Sequence, residues 1–230
     1  MNTETALYSL LAWLSPSFPV GAYSYSHGLE YAVESGLVKD RDSLVEWVET
    51  IITAGSGRTD AMLCCAAYQA VKAEDAEQLI WVVERADALR GTAEMALESA
   101  AQGQAFLDTV RAAWAHAALE DWANRLQAMQ RPPAYAVAVA VVAARHGLPL
   151  DMTLTAFLHA IVANLVSAGV RLIPLGQTDG QRAISGLAKT VIACVKDVLS
   201  QSLDDLGSAT PMIDWTSMRH ETQYTRLFRS

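Results

Sequence analysis

Ser24, His27 and Glu30 are the residue types of a nucleophile, a base and an orienting acid, spaced three residues apart. On one helix they would share a face. A hydrolytic triad needs a mutual geometry that one helix seldom supplies, so the spacing predicts polar hydrogen bonds at the start of a helix instead. Gly55-Ser56-Gly57 followed by Arg58 and Thr59 suggests a phosphate loop. It lacks the GxxxxGK[ST] spacing and follows no strand pattern, which leaves a helix break. Glu94 and Glu98 stand one helical turn apart, as carboxylates do in bundle metal sites, but the matching Glu-x-x-His pairs are absent. His27, His116, His146, His159 and His220 are scattered, with no HExxH and no cysteine at ligand spacing. His159 lies in an apolar segment and predicts a satisfied core histidine; His220-Glu221 predicts a solvated turn. Cys64, Cys65 and Cys194 have no spaced-pair pattern and read as buried thiols of a reducing, cytoplasmic compartment. The residues thus offer no catalytic set, no metal ligand set and no tightly bound cofactor.

The elements that would hold these residues are helices. Leu154, Phe157, Leu158, Ile161, Leu165 and Val166 recur at spacings of three and four, with Asp151 placed as a cap. Ile184, Leu187, Val191, Val195 and Val198 repeat the stripe, as do Leu44, Trp47, Val48, Ile51 and Ile52 behind a capping box of Ser43 and Glu46. Leu79, Val82, Val83 and Ala86 predict a further helix, and 93–114 and 119–129 two more. Ala134 to Ala144 alternates Val137, Val139 and Val141, which a strand would also do; its alanines and helical neighbours favour a buried helix. Met152 to Val170 is 19 residues without a formal charge. Its threonines, His159, Asn164 and Ser167 predict a core helix over a membrane span. The apolar start carries Glu4 and no basic stretch, unlike a secretory signal. The chain has 230 residues, 17 basic against 25 acidic, for a net charge of −8. That acidity argues against sequence-independent nucleic-acid binding, which rests on neutralising phosphates. With no long linker and no repeat, residues 1–230 predict an all-α, single-domain helical bundle of about eight to ten helices.

Three segments exceed what a core or a plain surface requires. Ser15 to Glu30, SPSFPVGAYSYSHGLE, packs two prolines, two glycines and the aromatics Phe18, Tyr23 and Tyr25 into 16 residues. Such amphipathic rings recur at interfaces. Ile173 to Gln181, IPLGQTDGQ, sets Gln177, Thr178, Asp179 and Gln181 between two apolar helices, with Asp179 placed to cap the second. Residues 219–230 hold three arginines against Glu221, a net +2, so the preceding 218 residues carry −10. A basic segment with Tyr224, Leu227 and Phe228 on an acidic body has the make-up of an anchor, since arginine and aromatics dominate binding hot spots.

At these segments the chain closely resembles the UreF family of urease accessory proteins. The residues that carry the resemblance are Ser15-Pro16, Phe18 through Ser26 and Gly28-Leu29-Glu30, then Pro174 through Gln181, then Arg226 through Ser230. The family accepts Gln as well as His at position 27, so no chemistry hangs on His27. The resemblance implies an all-helical homodimer without enzymatic activity. It implies joining a second accessory protein (UreD, also called UreH) and the GTPase UreG, which binds the GTP, to deliver nickel to the urease apoprotein. Nickel would then be transient cargo of the complex. It implies that the closing segment inserts into the UreD/UreH partner through Arg226, Phe228 and Arg229, with Leu227 and Tyr224 beside them. Tyr23, Tyr25, Glu30, Gln177, Asp179 and Gln181 resemble the family's characteristic polar and aromatic positions. A role as modulator of the GTPase would call for an arginine finger, and no arginine stands out as one. The competing expectation is an all-α enzyme with a catalytic loop at 15–30, which requires a deep pocket holding a titratable group.

Overall fold

The computed structural model describes residues 2–230, and among them every regular element is helical. The α-helices are α1 (Thr3–Trp13), α2 (Leu29–Glu34), α3 (Arg41–Ala54), α4 (Ser56–Lys72), α5 (Ala76–Ala88) and α6 (Ala93–Ala113). They continue with α7 (Ala117–Ala128), α8 (Tyr135–Arg145), α9 (Leu150–Leu172), α10 (Gln177–Ser200) and α11 (Pro211–His220). Ten of these eleven described helices have ten residues or more; only α2, with six, is a short turn. The expected all-α bundle is the observed fold.

The ambiguous Ala134 to Ala144 segment is helical, and Ala136 through Ala144 are buried on every side. A helix apolar all round belongs in the middle of a bundle. α8 accordingly lies among α4, α5, α6, α7 and α9. Its alanines allow close approach, and Gly103 of α6 shows how close: a Cβ there would meet the Pro133 carbonyl oxygen at 2.0 Å. α9 is the one described helix long and apolar enough to cross a membrane. It packs against α3, α4, α8 and α10 and buries Leu154, Phe157, Leu158, Val162, Leu165 and Val166, as a core helix does.

Several local expectations are corrected. The cap of α3 is Asp40, three residues before Ser43: its carboxylate accepts from the Ser43 N–H while the Ser43 hydroxyl accepts from the Asp40 N–H. Asp151 and Asp179 do not cap; Pro149 and Gly176 hold the extended cap positions, and both aspartates sit in the first helical turn, where negative charge still suits the helix dipole. His159 is exposed, not a core histidine. It falls at the edge of the buried stripe, about 100° from Leu158, and its side chain is outside. His220 is the opposite case: the last residue of α11 is fully buried and not on a solvated turn.

Gly55 alone breaks α3 from α4; Ser56 already begins α4. The 15–30 segment is irregular until α2. His27 has φ +57° and Gly28 φ +76°. Two successive left-handed residues turn the chain into α2, and Gly28 is required besides because a Cβ would stand 2.8 Å from the Ser217 nitrogen of α11.

Candidate functional site

The first, second and third unusual segments differ in where they go. Residues 221–230 fold back on the body, and α2, α6 and α11 supply the dock. α6 presents Glu94, Glu98 and Gln102 one turn apart on one face, which follows from their i, i+4, i+8 spacing. Glu30 of α2 and Glu94 of α6 approach the His220 imidazole from opposite sides: Nε2 lies 2.9 Å from Glu30 Oε2 and Nδ1 2.8 Å from Glu94 Oε2. Glu30 then accepts the Leu227 N–H at 2.6 Å and the Phe228 N–H at 2.9 Å. Arg226 donates to the other oxygen of Glu94 at 3.0 Å. The Phe228 ring is 3% exposed, with the Arg171 guanidinium 4.4 Å over its centroid.

The last residues pair with the first unusual segment. The Ser26 N–H donates to the Ser230 carbonyl at 2.7 Å, and the Arg229 N–H to the Ser24 carbonyl at 2.8 Å. The Ser230 hydroxyl donates to Glu98 at 3.0 Å. Arg171 and Asn164 of α9 hold the loop from behind, donating to the Tyr23 and Tyr25 carbonyls. Tyr25 is buried, with Arg229 over its ring at 5.7 Å; Tyr23 is exposed.

Of the expected site residues, then, Tyr25, Glu30, Arg226, Phe228 and Arg229 are brought together. Phe228 faces its own chain, so the segment is pinned and not a free end. Tyr224 is fully exposed, Leu227 is 63% exposed, and Arg226 and Arg229 retain access to solvent. Gln177, Asp179 and Gln181 are elsewhere, on the first two turns of α10, where Asp179 pairs with Arg182 at 2.9 Å and Gln177 and Gln181 are exposed. Sequence reasoning missed Glu94, Glu98 and His220 as members of the dock. The i, i+4 carboxylates were the available signal; their partners stand more than 100 residues away in the chain.

Behind the dock is a cavity of about 220 Å³ between the 15–27 loop and α4, α6, α8 and α9. His27, Ser56, Asp60, Arg90, Glu98 and Gln102 give it a polar wall. Arg90 forms a two-pronged pair with Asp60 at 2.6 and 3.1 Å. Burial works against its charge, but the carboxylates of Asp60, Glu98 and Asp87 outweigh that and raise its pKa. Burial pushes the Asp214 carboxyl up, partly offset by His27. The triad reading of Ser24, His27 and Glu30 fails in space. Ser24 donates to the Gly21 carbonyl, Glu30 holds the closing segment, and His27 lies between Ser56 Oγ at 2.7 Å and Glu98 Oε2 at 3.3 Å. Ser56, His27 and Glu98 follow one another as hydroxyl, imidazole and carboxylate, so the competing enzyme reading attaches here and nowhere else on the loop. Among the described residues no group of three or more His, Cys, Asp or Glu has the geometry to hold a metal ion. Cys64, Cys65 and Cys194 are free and buried.

Known proteins decide between these readings. The UreF family model matches residues 38–188, about two thirds of the chain. Three proteins named urease accessory protein UreF align over nearly all of it. That of Rhodopseudomonas palustris strain TIE-1 is 51% identical over 227 residues, covering 99% of this chain and 93% of that protein. That of Bradyrhizobium diazoefficiens is 51% identical over 225 residues, covering 98% and 92%. That of Granulibacter bethesdensis is 49% identical over 228 residues, covering 99% and 95%. These alignments include the 15–30 segment and the dock as well as the region of the family model, and the relatives are named for assisting an enzyme, not for being one. The chain belongs to the UreF family of urease accessory proteins.

Proposed function

We propose that this protein is a non-catalytic scaffold for GTP-dependent nickel insertion into the urease apoprotein. It acts with UreD (UreH) and with the GTPase UreG, which carries the GTP. Nickel is the cargo of that assembly. The chain works as one helical unit in the cytoplasm, as a homodimer, and modulates the GTPase through the geometry it imposes.

The observation that carries this reading is the two-sided closing segment. Its inward side, Phe228, Ser230 and the Leu227 and Phe228 amides, is fixed to Glu30, Ser26 and Glu98. Its outward side shows Tyr224, Leu227, Arg226 and Arg229. A rigid aromatic and arginine face on an acidic body supplies anchor residues already ordered for a partner, so less conformational entropy is lost on binding. Met212, Trp215 and Met218 of α11, the helix that leads into the segment, leave further apolar area exposed. Tyr23, Gln177 and Gln181, with the half-buried Asp179 between the two glutamines, are further grips for the GTPase or the second copy.

The test is capture of purified UreD/UreH by the full chain and by a chain ending at Glu221. The expected result is loss of capture with unchanged far-ultraviolet helicity. Equal capture by the shortened chain refutes the role given to the segment.

A further inference from the structure

We propose that the outer face of α10 is a docking site for an acidic helix of a partner protein, seated over Gly186 between Arg182 and Lys189.

Gly186 is the first observation. Five glycines lie inside helices: Gly57, Gly103, Gly169, Gly180 and Gly186. A Cβ on any of the first four would meet another part of the chain at 3.0 Å or less, so close packing accounts for them. At Gly186 a Cβ would meet nothing within 4 Å. Glycine in a helix interior weakens the helix relative to alanine. No contact within this chain offsets that loss at Gly186, whereas a body lying closely against the notch from outside does.

The charges indicate its chemistry. Residues 180–196 contain no Asp or Glu and hold Arg182, Lys189 and Lys196, a net +3, so the rest of the chain carries −11. At a spacing of seven, each cation is turned only about 20° from the one before it around the helix. All three are exposed. Arg182 pairs with Asp179 at 2.9 Å, while Lys189 and Lys196 have no ion-pair partner among the described residues. On the α3 side, Glu49 accepts from the Thr190 hydroxyl at 3.0 Å. Thr178, Gln181, Arg182, Ser185 and Lys189 line a shallow hollow over Gly186, and each can donate a hydrogen bond.

The spacing indicates its shape. Arg182, Ser185, Lys189, Ile192, Lys196 and Leu199 alternate at three and four residues, the repeat of a helix–helix seam. Ile192 and Leu199 are 50% and 42% exposed. α10 packs its other face on α3, α4 and α9 and leaves this one unpartnered. A second copy of α10 is a poor occupant, because +3 would face +3. A membrane surface or a nucleic acid would attract the three cations but meet a chain of net −8. A helix touches this face alone, and glutamates at the same seven-residue spacing reach the three cations in turn. None of the hydrogen bonds that hold the closing segment involves α10, so this site stands or falls apart from that segment.

The test uses the full ¹⁵N-labelled chain and a stapled alanine-based helix with glutamate at every seventh position and leucine three residues after each. The same helix with glutamine or lysine in place of glutamate is the comparison, and amide shifts are followed by NMR. The expected result is shifts in residues 178–199 and none in 224–230, with binding that weakens as salt rises. The glutamine helix should bind about fivefold more weakly, in keeping with a few exposed ion pairs. Lys189→Glu should weaken the glutamate helix by about fivefold and strengthen the lysine helix. Gly186→Leu fills the notch with a better helix former and should weaken binding by about tenfold without loss of fold. Gly186→Ala should raise the melting temperature. Equal binding of the glutamate and glutamine helices, a Gly186→Leu chain that binds as the wild type does, or a Gly186→Ala chain no more stable than the wild type each overturns the proposal. So do phosphatidylserine vesicles that shift the α10 amides where the glutamate helix does not.

Discussion

Replacing Glu30 by Ala tests the dock at its most connected residue. The side chain accepts from Leu227 N–H, Phe228 N–H and His220. The Leu227 amide belongs to an exposed residue and can turn to water. The Phe228 amide is buried, and a buried donor without a partner costs about 1–3 kcal/mol. The acceptor lost is a charged carboxylate, which puts the cost at the upper end of that range; the contact to His220 joins α2 to α11 and does not enter the opening of the segment. A working figure of about 3 kcal/mol for the docked segment corresponds to more than a hundredfold in its opening equilibrium. Phe228 belongs to the same buried cluster as Phe157, Leu158 and Val139, but none of the hydrogen bonds lost involves α8 or α9. Hydrogen–deuterium exchange should therefore rise about a hundredfold in residues 224–230 and at Ser26, whose N–H is held by Ser230. Exchange in α8 and α9 should stay as it is. Unchanged exchange in the closing segment would refute the ledger of contacts, and equal acceleration in α8 would show that the dock and the core are one cooperative unit.

Three other consequences are open to measurement. Gly103→Ala drives a Cβ into the Pro133 carbonyl and should lower the melting temperature by several degrees, consistent with an overpacking loss of about 1–3 kcal/mol; an unchanged melting temperature would mean that α6 and α8 can part freely. Burial raises the pKa of all three thiols, that of Cys194 to about 11, so iodoacetamide at pH 8 should label the folded chain no faster than it unfolds. Burial and then His116 lower the pKa of His146, whose ring lies 5.4 Å from that of His116. The unfolded chain then takes up protons first on acidification. Stability should be full above about pH 6.5 and fall below it. His146→Gln should flatten that fall, and a steeper fall in the variant would contradict the sign.

What was legible in the sequence was what is local. Leu154, Phe157, Leu158, Leu165 and their counterparts in α3 and α10 announce their helices because a 3.6-residue period needs only the helix itself. The exposure of His159 is not legible there, since it stands at the edge of the stripe, seven residues from Val166, where the period fits either side. Helix starts were read less well: Asp40 rather than Ser43 begins α3, and Pro149 and Gly176 displace Asp151 and Asp179 from the cap, because capping depends on one residue's backbone angles and not on its type alone. α1, α2, α4 and α11 did not emerge from the pattern. α2 is too short to show a period, and α11 leaves Met212, Trp215 and Met218 outside. The dock was least legible. His220 meets Glu94 across 126 residues of sequence and Glu30 across 190, and no spacing rule spans such a gap. The closing segment was recognised by its composition, yet composition gives no sign that Phe228 turns inward while Tyr224 turns out.

The competing enzyme reading has its own check. A fluorophosphonate probe should leave Ser56 unlabelled, since the resemblance and the relatives' names both speak for assistance and not turnover. Covalent labelling of Ser56 that depends on His27 and Glu98 would revive it.

The most direct measurement is urease activation in cells carrying the urease apoprotein, UreD/UreH, UreG and nickel, with the full chain, with the chain ending at Glu221, or with none. The account predicts nickel-loaded, active urease only with the full chain. Equal nickel content in urease from cells that lack the chain would contradict it.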